Sequence, residues 1–182
     1  LVELAFGSGG RASALLTKEL FLPALANAEL LKGDDGAVLN VEAGRMVVST
    51  DSHVISPLFF PGGDIGCLSV FGSVNDVAVM GAKPLHLTAG FIIEEGFSMK
   101  KLWEVISSMK NAAQTAGIDI VTGDTKVVDK GKGDGIYINT SGIGVINHDQ
   151  SIKPQSIKAG DVIIINGDIG RHGITIMSQR EH

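Results

Sequence analysis

Ile118-Asp119-Ile120-Val121-Thr122-Gly123-Asp124-Thr125-Lys126-Val127-Val128 is the stretch on which the reading of the fold turns. Ile118, Ile120 and Val121 read as a short buried strand over 118–122, and Gly123-Asp124-Thr125-Lys126 breaks it at its C-terminal end. An acid and a lysine two residues apart, just past an apolar strand, stand where α/β proteins bind ligands. Two other segments repeat the theme: Val47-Val48-Ser49-Thr50 runs into Asp51-Ser52, and an apolar, helix-like segment carries Asn75-Asp76. Three carboxylates in apolar frames, Asp51, Asp76 and Asp124, fit a shared divalent cation, and beside Lys126 the natural ligand is a Mg²⁺-nucleotide. The alternative is that each aspartate caps a turn or a helix.

Composition narrows the field. The chain of 182 residues is long enough for one large domain, or for one domain and part of another. A hydrophobic content of 44% with 19% charged residues supports a packed core rather than disorder. The net charge of −5 argues against a nucleic-acid-binding surface, so a nucleotide would be held by metal, backbone N–H groups and a few cations. Cys67 is the only cysteine, which excludes an intrachain disulfide and fits a reducing, cytoplasmic location. No apolar run approaches the ~20 residues needed to span a bilayer. The chain begins at Leu1 without a charged n-region, so no signal peptide is expected, and the missing initiator methionine with the abrupt end at His182 suggests a piece of a longer protein.

Outward from the opening stretch, Ser98 caps a helix carrying Leu102, Val105, Ile106, Met109, Ala113 and Ala116 on one face, with Gly117 as its stop. Leu85 to Ile93 and Ile136 to Ile146 alternate as strands, and Lys130 to Gly135 reads as a flexible hairpin loop. Asp64 caps a helix from Ile65 to about Met80, whose expected apolar stripe is Leu68, Phe71, Val74 and Ala78. Arg45 to Thr50 reads as a strand ending at Asp51, and Asp34-Asp35-Gly36 as a turn. Near the start, the loop Gly7-Ser8-Gly9-Gly10 precedes a helix with Ala12, Leu15, Leu16, Leu20 and Leu22, ending near Pro23. Such a loop can wrap phosphates with backbone amides, though it lacks the lysine and spacing of a Walker A motif and reads equally as a mobile terminus. Asn147 to Ala159 is a polar linker with Pro154. It divides an N-terminal domain, 1–148, from a segment, 149–182, that opens a second α/β domain with a strand at Asp161 to Ile165 and the start of a helix. The class is α+β. A single mixed sheet packed by helices on one side buries its apolar face most simply against a second copy, so a homodimer is expected.

Taken in order, Gly7-Ser8-Gly9-Gly10, Thr50-Asp51-Ser52-His53-Val54-Ile55, the run Pro57 to Gly66, Asn75-Asp76-Val77-Ala78, Gly90 to Gly96 and Gly123-Asp124-Thr125-Lys126-Val127-Val128 resemble the HypE family of hydrogenase maturation factors. These are the carbamoyl dehydratases that make the cyanide ligands of NiFe hydrogenases. They belong to a wider PurM-like superfamily with aminoimidazole ribonucleotide synthetase, selenophosphate synthetase and thiamine monophosphate kinase. The resemblance implies an ATP-using enzyme with a dimer-forming N-terminal domain, two sheets pairing into a barrel across the dimer, and a second α/β domain. It implies that ATP phosphorylates a carboxamide carried on a C-terminal cysteine, leaving a thiocyanate. By the same resemblance Asp51, Asp76 and Asp124 hold Mg²⁺-ATP, Asp64 and Asn75 lie nearby, the Gly7–Gly10 loop closes over the phosphates, and Lys126 is the catalytic cation. The carbamoyltransferase HypF and a HypC–HypD scaffold are the implied partners.

Three departures stand out. Cys67 takes the place of a usual lysine, Arg171 that of a usual acid, and the acceptor cysteine is not in this chain, so this piece alone is expected to be inactive. Two alternatives stay open: another PurM-like kinase or synthetase of thiamine phosphate or selenophosphate type, and a non-catalytic dimerising scaffold. The Phe59-Phe60-Pro61 loop and the Glu94-Glu95-Gly96 turn favour the HypE reading.

Overall fold

In a computed structural model the described residues are 1–7, 10–32, 37, 39 and 44–180; Ser8, Gly9 and the expected turn at Asp34-Asp35-Gly36 lie outside them. The first helix, α1 (Gly10–Leu16), runs through a π-helical turn (Thr17–Phe21) into α2 (Leu22–Leu25) and ends two residues past Pro23, as expected. The Leu22 N–H reaches back to the Thr17 carbonyl. That widening lies just ahead of Pro23, whose ring would crowd the carbonyl four residues before it in a regular helix. Leu16, Leu20 and Ala24 form the buried stripe, while Leu15 is exposed.

Strand β1 (Arg45–His53) continues two residues past Asp51, and the short strands β2 (Phe59–Phe60) and β3 (Gly63–Asp64) form a tight hairpin ahead of α3 (Ile65–Val79). Then follow β4 (Lys83–Glu94), α4 (Met99–Ala116), β5 (Asp119–Val128), β6 (Ile136–Ile146) and α5 (Arg171–Arg180). The sheet order is β1-β6-β4-β5. β6 runs antiparallel to both neighbours, and β4 and β5 run parallel around the α4 crossover. This is a mixed sheet in an α+β fold, as expected. Helices α3 and α4 cover one face, where Leu87, Ala89, Phe91 and Ile93 of β4 meet Leu102, Val105, Ile106 and Met109 of α4. Ser98 and Gly117 bound α4 as expected. On the opposite face Met46 and Val48 are 60% and 61% exposed, which leaves an apolar strip without a helical cover among the described residues.

Four expectations are corrected. First, β5 does not end at Thr122 but pairs with β4 as far as Glu94↔Val128. Gly123 lies within the strand, because a Cβ there would sit 2.5 Å from the Ala89 carbonyl oxygen. Second, Lys130 to Gly135 is not a hairpin loop: β4 lies between β5 and β6, so the loop steps over the end of β4. It folds around Glu94, whose carboxylate accepts the N–H groups of Gly131 (2.5 Å) and Gly135 (3.1 Å). Third, α3 buries Ile65, Val70 and Val77 with Gly66, Ser69 and Ser73; Leu68, Phe71 and Val74 flank that contact and Ala78 is exposed. Small residues face inward because the packing is close: a Cβ on Gly66 would lie 2.3 Å from the Val105 carbonyl oxygen. Fourth, Asp161 to Ile165 forms no strand, and Val162, Ile163 and Ile164 stand more than four-fifths exposed, with no strand to pair with among the described residues. The helix after it does form, docked by buried Ile176 and by the Arg180 Nε–H on the Ser56 carbonyl.

The Gly131 and Gly135 amides hold the Glu94 carboxyl below the usual carboxylate range. A carboxylate with a depressed folded pKa stabilises the fold above its unfolded value, about 4.3, and that contribution fades as pH falls through the lower folded value. Thermal unfolding of Glu94→Gln against wild type should therefore show a gap at pH 7 that narrows once the pH drops below that range. A gap independent of pH would assign the loop's order to something other than this carboxylate.

Candidate functional site

Two half-sites emerge from the strand geometry. In β1 alternate residues share a face, so Ser49, Asp51 and His53 all point toward α3. The Ser49 hydroxyl donates to Asp76 Oδ2 on α3 at 2.8 Å. One turn earlier Gly72 leaves room for the other two side chains: a Cβ there would stand 2.9 Å from His53 Cε1 and 3.2 Å from Asp51 Oδ2. Asp51 and Asp76 are thus brought to one place, with Asn75 exposed beside them. His53 is buried, with Nε2 3.7 Å from Asp51 Oδ2. Burial outweighs the attraction of the Asp51 and Asp76 carboxylates and holds the imidazole below its ordinary range, in the neutral form at pH 7. A cleft of about 460 Å³ opens over this group, with Asp51, His53 and Gly72 on one wall and His172, Ile176 and Arg180 of α5 on the other.

The second half-site is on β5. Lys126 Nζ donates to Asp124 Oδ1 at 2.9 Å and lies 2.8 Å from Oδ2. This charge-assisted bond is the main reason the Asp124 carboxyl lies below the usual range. Both side chains are mostly exposed. Gly7 packs against the same strand, since its Cβ would sit 2.1 Å from the Val127 nitrogen, and Gly10 opens α1 with φ +74°. Between α1–α2 and β5 is an apolar cavity of about 220 Å³, lined by Leu16, Phe21 and Phe91 and reached by Gly7, Asp124 and Lys126.

These half-sites do not meet within one chain. The ladder aligns Ser52, Asn139, Gly90 and Asp124 across the sheet, and the Asn139 amide donates to Ser52 Oγ at 2.9 Å on that face. Asp124 therefore projects from the helix-free face and Asp51 from the helix-covered one, on strands three spacings apart, about 14 Å. Among the described residues no three His, Cys, Asp or Glu side chains converge as a metal site. Asp64 is committed elsewhere, at the far end of α3. Its Oδ1 accepts the N–H groups of Gly66 (2.7 Å) and Cys67 (3.1 Å), and its Oδ2 accepts the Ser108 hydroxyl (2.6 Å). Cys67 answers with Sγ 3.2 Å from the Asp64 nitrogen, and Arg171 pairs with Asp168.

His53 and Ser49 are the site residues that sequence reasoning missed. The period-2 pattern Ser49, Asp51, His53 could have found them, once α3 was known to be the neighbour. Gly72 on α3 admits both the Asp51 and the His53 side chains. Among the described residues no helix is long and apolar enough to cross a membrane.

The fold is of the aminoimidazole ribonucleotide synthetase type, and the chain belongs to that family: residues 33–146 match the AIR synthase related protein, N-terminal domain. Within it, the relatives the chain resembles are HypE proteins. It is 52% identical to the carbamoyl dehydratase HypE of Cupriavidus necator over 181 residues, 99% of this chain and 52% of that protein. A solved structure of the hydrogenase maturation protein HypE in complex with ATP is 49% identical and aligns with a TM-score of 0.97, covering 100% of this chain and 54% of that one. The structure of a HypE–HypF complex aligns at 50% identity with a TM-score of 0.74, over 91% of this chain and 53% of that one. The chain spans about half the length of the curated relatives it matches.

Losing the Asp64 cap should lower the stability of Asp64→Ala by about 1–2 kcal/mol in urea denaturation. A change near zero would mean that Ser108 and the Cys67 thiol hold the start of α3 without it.

Proposed function

We propose that this chain is the ATP-binding, dimerising part of a cytoplasmic carbamoyl dehydratase that makes the cyanide ligands of NiFe hydrogenases. The observation that supports this most is the close likeness, over the whole chain, to a HypE bound to ATP. The full protein would convert a C-terminal cysteine S-carboxamide to a thiocyanate. Bound ATP supplies a phosphoryl group that makes the amide oxygen a good leaving group, so that the oxygen departs as phosphate and the nitrogen loses its two protons.

The residues present fit a Mg²⁺-nucleotide. Asp51 and Asp76 offer hard oxygen donors, brought together where Gly72 lets the Asp51 side chain lie close against α3. Asp124 belongs to the same ligand set, and Lys126, held by Asp124, orients the carboxamide or neutralises phosphoryl charge. Gly7 to Gly10 close over the phosphates. Since Asp124 and Asp51 leave opposite faces of one sheet, the set is complete only between two copies. Asp51 and Asp76 lie at the β1 edge of the sheet and Asp124 and Lys126 at the β5 edge, so the set comes together where the edges of two sheets adjoin as they close into a barrel that also covers Met46 and Val48. Asn75 borders the ligand, and Asp64 acts indirectly, by fixing α3.

Residues 149–182 form a linker and the opening of a second α/β domain, whose strands would pair with the exposed Val162 to Ile165 and carry the acceptor cysteine. The likeness to a HypE–HypF complex supports docking of the carbamoyltransferase HypF, with a HypC–HypD scaffold receiving the product.

The full-length protein provides the test. Asp51→Asn and Asp124→Asn should each abolish Mg²⁺-ATP-dependent dehydration. An equal mixture allowed to exchange subunits should recover about one-quarter of the wild-type sites, since half the dimers are mixed and each holds one intact site. No recovery, with exchange verified, would place all the ligands on one chain; full activity in both variants would remove the metal assignment.

A further inference from the structure

We propose that His53 is a positioning residue that orients the Asp51 carboxylate toward the bound nucleotide, an inference that rests on the ATP-binding reading above. Thr140 carries it. Its hydroxyl has a single hydrogen and three polar neighbours: Ser73 Oγ at 2.8 Å, the Ser69 carbonyl at 2.9 Å and His53 Nε2 at 3.2 Å. The hydrogen goes to one of the two nearer acceptors, and in either case Thr140 Oγ1 has only lone pairs left for the ring. His53 Nε2 must therefore carry a hydrogen.

That fixes the tautomer of a histidine that is 6% exposed, and it turns the ring's N–H edge toward Asp51 Oδ2, 3.7 Å away. The separation is too long for a hydrogen bond, so the interaction is the steering of a carboxylate by an oriented dipole. It draws Oδ2 inward over Gly72. Ser69, Ser73 and Thr140 are each fully buried, so the relay that orients the ring is shielded from water. Asp76 is held in a parallel way by Ser49. Each carboxylate of this half-site thus has its own polar neighbour from β1. Partners of this kind tune ligand affinity by about 10–100-fold.

The experiment is calorimetric titration of Mg²⁺-ATP into the full-length protein, with unfolding midpoints recorded in parallel. His53→Phe, which keeps a ring and removes the donor, should weaken binding about tenfold or more. His53→Gln, whose amide can still donate, should stay within about threefold of wild type by the same scale. Introduced into Asp51→Asn, His53→Phe should cause no further loss, because its target has already been altered. Should His53→Phe fail to fold, His53→Asn, whose shorter amide does not span the same distance, replaces it in each comparison.

Wild-type affinity in a folded His53→Phe protein would overturn the proposal. An equal loss in both backgrounds would do the same, by reducing His53 to a packing residue. If Asp51→Asn itself bound Mg²⁺-ATP normally, the ligand assignment of Asp51 would fall first and this inference with it.

Discussion

The close approach of α3 to β1 and β6 is the contact on which the acidic half-site depends. Glycine and serine make the interface rather than leucine: a Cβ on Gly142 would lie 2.8 Å from Val77 Cγ2, and one on Gly144 2.4 Å from Val77 Cγ1. Bulky residues would lift the helix away, and Asp76 would lose the Ser49 hydroxyl. Such a contact face buries less apolar area than a leucine stripe would. It is supplemented by a buried polar cluster, Ser69, Ser73, Thr140 and His53, in which every group has a partner. A satisfied network of this kind specifies one arrangement, since any shift of the helix leaves a buried polar atom unpaired.

The elements that were legible in the sequence are those that follow from local chemistry. Helix α4 is marked at both ends, by the Ser98 side chain accepting the Lys101 N–H and by the left-handed Gly117, and its apolar spacing survives intact. Strand β4 alternates as its sequence does. Asp64 also matched its local signature, and the structure shows how fully capping occupies it. What could not be read depends on neighbours. The buried face of α3 is set by how near β6 comes, which a hydrophobicity pattern does not encode. The loop at Lys130 to Gly135 has the composition of a hairpin turn, but whether it joins adjacent strands is decided by sheet order. The apolar run Val162 to Ile165 has the intrinsic features of a strand and, among the described residues, lacks only a strand to pair with.

The motif with which the sequence reading begins shows the same limit at a single residue. Ile120 pairs with Leu87 and points into the core. Strict alternation from there would send Thr122, Asp124 and Lys126 into the core as well, beneath α1–α2, where an exposed ion pair could not exist. Instead the register jumps: Thr88 pairs with Thr122, and Val121 is left over as a bulge. One extra residue reverses the facing of everything after it. The core then receives Val127, while Asp124 and Lys126 emerge on the opposite side. Two consecutive buried residues, Ile120 and Val121, are the trace of this bulge in the chain.

The bulge therefore has a consequence beyond its own strand. Without it, Asp124 would lie on the same side of the sheet as Asp51, still three strands away and buried under a helix, unable to reach a nucleotide. With it, Asp124 stands on the face that carries the exposed Met46 and Val48, the surface that a second copy would cover. Under the proposed reading, apolar burial and ligand binding call for the same association. Under the proposed dimer, a fold that separates its acidic residues onto two faces would gain a site in which each chain supplies what the other lacks.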